Sequence, residues 1–499
     1  MTESTQRKLR LAGYSIQVVI LLSICMVVAY LYTSAWGIAR FYPWSIEYEG
    51  HVLWAAQLLA KGSNIYDPNS LTHQPWCVII YNPFYLIVGA VLVKLVGALF
   101  WPLRMLTMCS TLATFLGLFV ILDRCKLREF FSIIGLALFS SCLPVFYWSA
   151  VARVDMFGLA LAVWGTERFV ANWFDEEKSG KFSMSLLLSF TLFVLAFFTK
   201  QQYFVFPFAC FLFYCFKGQG RFGLKYFGSW LTVVLTSSLV IQTITGGYWA
   251  HLAYATGLPW EWNTFKQFLL PFLMDYKTIA SVVVIVVGMI FSKKPAPAEE
   301  LALCLLVLSL MLASYTMGLR GAYHNHLLCT ELALFWLAVL NLGKLSNAFS
   351  ALVIVATLFS LQCMTFYLDV LKSRLDLWTQ TRETIELLQK SNLKGKVVLF
   401  EDPYTAMLLE ATPAMIDGTT IVNMSRKHPS VLEQLSSSIK KREYAAILIN
   451  SHDAEKGLSE IWPPEIVKII KQNYRLVGNS GGNGIKQSLF EPAQGDGLR

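Results

Sequence analysis

The sequence predicts an all-α polytopic membrane protein with about 11–12 transmembrane helices, followed by a small α/β domain outside the membrane. Three observations carry this. Of the 499 residues, 55% are hydrophobic and only 15% charged, and the mean hydropathy of +0.51 lies above the range of soluble globular chains. Apolar runs of roughly 17–25 residues, enough to cross about 30 Å of hydrocarbon, recur from Leu11 to about Tyr367. After Asp369 the composition turns charged, and helix-like and strand-like segments alternate.

Backbone groups in hydrocarbon must bond within their own segment, so the apolar runs are expected to be helices. Their orientation follows from Lys and Arg in the short loops, which stay cytoplasmic. These are Arg7, Lys8 and Arg10; Arg124, Lys126 and Arg128; Lys178 and Lys181; Lys217, Arg221 and Lys225; Lys293 and Lys294; and Lys344. From a cytoplasmic N-terminus, spans fall near 11–34, 103–122, 130–148, 155–172, 183–199, 202–216, 226–244, 275–292, 299–316, 326–342 and 348–367, which puts the tail outside. The run 82–99 breaks the alternation, because its crossing would place the later basic loops outside. It is expected to be re-entrant or interfacial. The 11–34 run is longer than a signal peptide's apolar region and lacks a small-x-small cleavage pattern, so it counts as a span. The division is therefore 1–369 for the membrane domain, with a first outer loop at 34–81, and 370–499 for the soluble domain.

The formal charge of +9 resides largely in the cytoplasmic loops and does not argue for nucleic acid. Nine of the ten cysteines fall in or beside spans without metal-ligand spacing, so neither a disulfide framework nor a zinc site is expected. In the tail, 371–390 reads as a charged helix, 396–400 as a strand, 431–442 as a helix, 445–449 as a second strand and 464–473 as a helix. The stretch from about Gln487, with Gly495 and Gly497, reads as loose.

Four polar segments interrupt the apolar pattern. The first outer loop carries Glu47-Tyr48-Glu49-Gly50-His51 directly after the interfacial aromatics Trp36, Phe41, Tyr42 and Trp44. Val52, Ala55, Ala56 and Leu59 then follow helical spacing up to a stop at Gly62, which suggests a helix lying along the membrane. Glu47 or Glu49 is a candidate general base; the plainer alternative is a pair of carboxylates at a helix N-terminus, worth about 0.3–1 kcal/mol. Arg153 and Asp155 stand at the outer start of the 155–172 span, either as a simple ion pair or with the guanidinium fork free to hold a phosphate. Lys200, Gln201 and Gln202 sit where two spans meet with hardly any loop, either facing a cavity or with the lysine as an interfacial anchor. Arg320, His324 and His326 lie between two span ends and suit a phosphate or sugar contact, although histidine there is also an ordinary interfacial residue; two histidines without a third ligand do not make a metal site.

Under the inferred topology all four segments share one side of the membrane. Carboxylates facing Arg, Lys and His suit the transfer of a sugar from a lipid phosphate: a base activates the acceptor, and cations stabilise the departing phosphate. No cofactor is indicated, although two nearby carboxylates leave a divalent ion open as an alternative.

The order of Glu47-Tyr48-Glu49-Gly50, Tyr81-Asn82-Pro83-Phe84-Tyr85, Arg153-x-Asp155, Lys200-Gln201 and His324-Asn325-His326 after an N-terminal span resembles membrane glycosyltransferases of the GT-C fold, in the bacterial branch related to protein mannosyltransferases and aminoarabinose transferases. The resemblance spans roughly 11–370 and rests on short motifs. It implies a polyprenyl-phosphate sugar as donor, a lipid, protein or polysaccharide as acceptor, and a place in the bacterial plasma membrane with the N-terminus cytoplasmic and the tail outside. It also implies a catalytic acid residue in the first outer loop, Glu47 or Glu49, and phosphate contacts from Lys200 and Arg153. The sequence departs from the family in splitting the two acids with Tyr48, in having Asn82-Pro83 in place of Pro-Pro, and in lacking a lysine before that turn, where Ile80-Tyr81 stands. The rival expectation is a transporter or flippase of lipid-linked glycan, which would show charges at mid-span and broken helices in paired halves. A third is a scaffold acting through its tail, where no phosphate loop or nucleophile elbow is found.

Overall fold

The computed structural model describes residues 22–37, 46–175, 183–291, 294–320, 322–345, 386, 388, 392–401, 403–415, 418–453, 458–459, 462–480 and 486–493. The expected span at 348–367, nearly all of the expected helix at 371–390 and the domain boundary near 369 lie outside them.

The membrane half is helical. In chain order come α1 (Leu22–Gly37), α2 (Ile46–Ala60), α3 (Pro83–Val96), α4 (Phe100–Arg124), α5 (Glu129–Ser140), α6 (Leu143–Trp148), α7 (Val154–Asp175), α8 (Met184–Thr199) and α9 (Val205–Phe216). Then follow α10 (Gly220–Thr245), α11 (Tyr248–Thr256), α12 (Trp262–Met274), α13 (Tyr276–Phe291), α14 (Pro297–Thr316) and α15 (Leu328–Leu342). By length and apolarity alone, α4, α10, α14 and the stretch His324–Leu342 are each able to cross a bilayer among the described residues, and α12 with α13, bent by 59°, forms either a broken fifth span or a re-entrant pair. Several expected spans are shorter or interrupted. The 130–148 run is split into α5 and α6 at Ser141-Cys142, just before Pro144, and 202–216 opens with a 3-10 turn before α9.

The interruptions obey the rule that backbone groups in an apolar interior find partners. At the α5–α6 break, the Tyr32 hydroxyl donates to the Ser140 carbonyl at 2.8 Å. Lys277 Nζ donates to the Ser141 carbonyl at 3.0 Å. The chain bends between α12 and α13 at Asp275, four residues after Pro271 removes a helical donor.

Two runs in the first outer region form short helices. The 82–99 run forms only α3, 14 residues long and stopped by Gly97 at φ +87°, too short to cross about 30 Å unaided. The helix expected to lie along the membrane is α2, and Val52, Leu53, Trp54, Ala55 and Ala56 are all buried. It packs inside protein, against α3 on one side and a tail helix on the other, so its apolar residues are consumed by the fold rather than by lipid.

The tail holds β1 (Val397–Phe400), β2 (Thr412–Pro413), β3 (Ile447–Asp453), β4 (Leu458–Ser459), β5 (Tyr474–Ser480) and β6 (Lys486–Pro492), with helices Pro403–Leu408, Gly418–Lys427, Ser430–Lys440 and Pro464–Asn473. The strand order is β2-β1-β3-β6-β5, with β4 on the far end of β3. The β2-β1-β3 part is parallel and the rest antiparallel. Of the stretch expected to be loose from Gln487, the part up to Pro492 belongs to β6, which lies inside the sheet between β3 and β5, and 494–499 lie outside the described residues. Leu489 and Phe490 of β6 are buried in the core, which a short run between glycine-rich segments does not advertise.

The sheet does not stand apart from the membrane half. Trp76 of the first outer loop bridges to Met415 in parallel, with its N–H on the Ala414 carbonyl at 3.0 Å. Leu71, Trp76 and Val78 share one buried cluster with Leu399, Met415 and Ile447. Gln74 Nε2 donates to the Tyr444 hydroxyl at 2.6 Å. The tail and the first outer loop therefore occupy the same end of the molecule.

Candidate active site

Asp155 opens α7 and is the centre on which three distant segments meet. It is buried. Lys200 Nζ approaches Oδ1 at 2.6 Å, Asn325 Nδ2 donates to the same oxygen at 2.8 Å, and Arg153 Nε lies 3.7 Å from Oδ2. The Tyr203 hydroxyl donates to the Asp155 main-chain carbonyl. Local structure explains the convergence. α8 ends at Thr199, Lys200 is extended, and a 3-10 turn over Gln201–Phe204 turns the chain back. His324–Leu327 is a second such turn, at the mouth of α15. Each turn delivers short polar side chains to the end of α7 that a continuous helix would spread along its axis.

Tyr81 extends the cluster toward the first outer loop. The Arg153 guanidinium lies 5.3 Å from the Tyr81 ring centre and 4.9 Å from that of Trp148, and the His51 ring centre stands 6.3 Å from that of Tyr81. Asn82 ties the same stretch down, with Nδ2 donating to the Phe197 carbonyl at 2.5 Å and Oδ1 accepting from the Tyr248 hydroxyl at 2.6 Å. His251 holds the loop that precedes it. The Ile79 N–H donates to Nδ1 at 3.1 Å, so the proton rests on Nε2, which faces the Asp67 carbonyl at 3.1 Å. Burial keeps this imidazole below the usual histidine value and hence neutral.

Around Asp155, five buried side-chain atoms have no hydrogen-bond partner among the described residues: Asp155 Oδ2, Gln201 Oε1, Gln202 Nε2, Asn325 Oδ1 and His326 Nδ1. Buried polar atoms in folded proteins are nearly always bonded, so such a concentration marks a place for a polar ligand or ordered water.

The other sequence-predicted residues are placed differently. Glu49 is fully buried, its two oxygens 2.8 and 2.7 Å from Arg104 Nε and Nη2, and the Ala152 N–H donates to Oε1 at 2.7 Å. It joins α2 to α4 and to the segment carrying Arg153. Glu47 stands two residues earlier in α2, and its side chain lies outside the described residues. Arg320 is half-exposed and bonded to Glu261 at 2.7 Å. His324 packs edge-on against Phe268 at 4.9 Å. Among the described residues no group of three or more His, Cys, Asp or Glu is gathered as a metal site.

The basic loops sit at the opposite end. Arg124 at the end of α4 pairs with Glu167 late in α7 at 2.6 Å, Lys344 after α15 pairs with Glu299 at 2.5 Å, and Lys217 after α9 pairs with Glu300. One end of the bundle thus carries the polar cluster, the first loop and the tail, and the other the ion-paired basic turns. Tyr203 and Arg104 were not singled out from the sequence. Tyr203 directly follows the Lys200-Gln201-Gln202 turn, which was, whereas Arg104, one arginine inside a 25-residue apolar helix, was the signal for a buried partner.

Comparison with solved structures matches nearly the whole of this architecture. The crystal structure of ArnT from Cupriavidus metallidurans bound to undecaprenyl phosphate superimposes with a TM-score of 0.59 at 11% identity, over 95% of this chain and 98% of that one. The apo form of the same protein gives 0.57 at 11% identity, over 96% and 98%. The chain has the GT-C fold. A cryo-EM structure of the arabinofuranosyltransferase AftD from Mycobacteria is also matched, with a TM-score of 0.47 at 13% identity, over 91% of this chain and 40% of that one. No protein-family model and no curated protein matches the sequence.

Proposed function

We propose that the protein is a glycosyltransferase that moves a sugar from a polyprenyl-phosphate donor to an acceptor on the extracytoplasmic face of the membrane. The observation that carries this reading is the gathering of Arg153, Lys200, Asn325 and His326 around one buried carboxylate, beside partnerless polar atoms, at the end of the bundle away from the basic turns. The fold supports it, since ArnT is a protein crystallised with undecaprenyl phosphate. In this reading Arg153 and Lys200, which share Asp155, exchange part of that contact for the donor's phosphate. A guanidinium fork and an ammonium on phosphate oxygens stabilise the charge that builds up as the sugar–phosphate bond breaks. The acceptor hydroxyl attacks from the opposite face of the sugar, so a single displacement inverts the anomeric centre.

The base is Glu47. Glu49 has both oxygens committed to Arg104 and the Ala152 N–H, which leaves it the task of fixing the segment that leads to Arg153. Glu47 shares its helix and opens it. The test is consumption of radiolabelled polyprenyl-phosphate sugars by membranes containing wild type, Glu47→Gln or Glu49→Gln, with expression and thermal stability measured alongside. We expect Glu47→Gln to fold normally and lose turnover by about 100-fold or more, the scale of a missing general base. Glu49→Gln should lose activity together with stability. Full activity in Glu47→Gln would remove the residue from the mechanism, and no consumption by wild type would favour lipid-linked glycan transport.

A further inference from the structure

At the end of the molecule that carries the Asp155 cluster, the end of the α11–α12 loop and the first residue of α12 present two large aromatic side chains to the outside: Trp260 is 43% exposed and Trp262 is 56% exposed. Their ring centres are 5.7 Å apart, and Phe265 stacks on Trp262 at 5.2 Å with only 21° between the planes.

The pair is built rather than loosely exposed. Trp260 bridges to Leu319, with the Glu261 N–H on the Gly318 carbonyl at 2.6 Å and the Arg320 N–H on the Pro259 carbonyl at 3.0 Å. The Trp260 indole N–H donates to the Tyr315 carbonyl at 3.1 Å. Gly318 lies so close beneath that a Cβ there would come within 1.9 Å of Nε1. Charged groups frame the rings. Glu261, between the two tryptophans in sequence, holds Arg320 at 2.7 Å with both side chains part-exposed, and Lys266 Nζ sits 5.3 Å from the Trp262 ring centre.

The rings also lead inward. Phe265 and Phe268 lie three apart on α12, hence on one face. Phe268 meets Tyr323 at 6.0 Å, Tyr323 meets Trp148 at 5.8 Å, and Trp148 lies under the Arg153 guanidinium.

We propose that Trp260 and Trp262 form a binding subsite for a carbohydrate chain, the acceptor in the transfer described above, and this rests on that reading. The choice of ligand follows from the mixture of surfaces. The C–H face of a sugar ring lies flat on an indole, while its edge hydroxyls need donors and acceptors, which the Glu261–Arg320 pair and Lys266 present beside the rings. A hydrocarbon chain has no use for that pair, and a bilayer interior penalises it. The line of ring contacts connects the subsite to the Asp155 cluster through Phe268, Tyr323 and Trp148.

The test uses the full chain in lipid nanodiscs, with maltohexaose, cellohexaose and an arabinofuranose hexamer as probes, read by saturation-transfer NMR and calorimetry. At least one hexamer is expected to bind wild type, and Trp262→Ala, an exposed position that leaves the bridge intact, is expected to weaken it at least about fivefold, the scale of one lost aromatic contact. Glu261→Gln should weaken the same hexamer. Failure of all three to bind wild type, or equal binding by Trp262→Ala, overturns the proposal. So does quenching of the Trp262 fluorescence, isolated as the difference from Trp262→Phe, by acyl-chain bromines in brominated lipid, because it makes the residue a membrane anchor. Donor consumption measured on the same samples separates the two readings. Consumption without hexamer binding overturns the subsite alone, whereas hexamer binding without consumption upholds a carbohydrate site and overturns the transfer.

Discussion

Asp155 is tied to Lys200, Asn325 and Arg153 at once, so its removal strands two cations in a buried place. Taking one partner from a buried ionic cluster costs roughly 3–5 kcal/mol. Asp155→Ala is therefore expected to lower the unfolding midpoint sharply, whereas Lys200→Met, which preserves bulk, should weaken donor binding more than it weakens the fold; ligand-dependent thermal shifts with a polyprenyl phosphate read both. His251 makes a separate prediction. Its Nδ1 accepts a hydrogen bond from the Ile79 N–H, and protonation would replace that acceptor with a second donor. Since the folded pKa lies below the unfolded one, stability should be unaffected above the ordinary value of about 6.5, fall as the pH drops below it, and level off once the folded value is passed. A His251→Gln variant, unable to titrate, should lose that acid-side slope in thermal melts; an unchanged slope would assign it to another group.

Among elements, the packing of α7 on α8 decides where the cluster forms. Gly158 faces Tyr203 so closely that a Cβ would lie 2.2 Å from the ring, and Gly165, two turns on, faces Phe193 at 2.7 Å. Small residues let helices approach and bring the α8 turn onto Asp155. Gly158→Ala is expected to cost about 1–3 kcal/mol through overpacking and to reduce donor binding by displacing Tyr203 from the Asp155 carbonyl; denaturation of the variant with and without ligand checks both. How much of this was legible follows the same line. Long apolar runs such as α4 and α14 announce themselves, and the polar motifs at Arg153-Asp155, Lys200 and Asn325-His326 marked the turns that meet in space. The break at Ser141-Cys142 did not show, because the carbonyls it frees are taken by Tyr32 and Lys277 from other helices. The burial of α2 was also illegible: its apolar spacing fits a membrane surface and a protein interior equally, and only the tail packed on it decides between them.

At the scale of the whole molecule, the first outer loop and the tail share a core. Trp76, 1% exposed, has its main-chain N–H bonded to the tail's Ala414 carbonyl and its side chain buried in the shared core. Trp76→Ala should cost about 3–5 kcal/mol. A variant lacking residues 392–499 should be cut readily by protease within 71–78, with wild type resistant there; equal resistance would show that the loop holds itself. This union was invisible in the sequence, where neither Trp76 nor Met415 belongs to a motif. It also sets an order on biogenesis. The first loop emerges early, but the strand it pairs with is made almost last, after every helix between them has been threaded. Closing so long a loop is the slow step of such topologies. A nascent chain stopped anywhere short of the tail carries the first loop without its partner. The pairing of Trp76 with Met415 thus forms only in chains that have been made through the second strand of the tail.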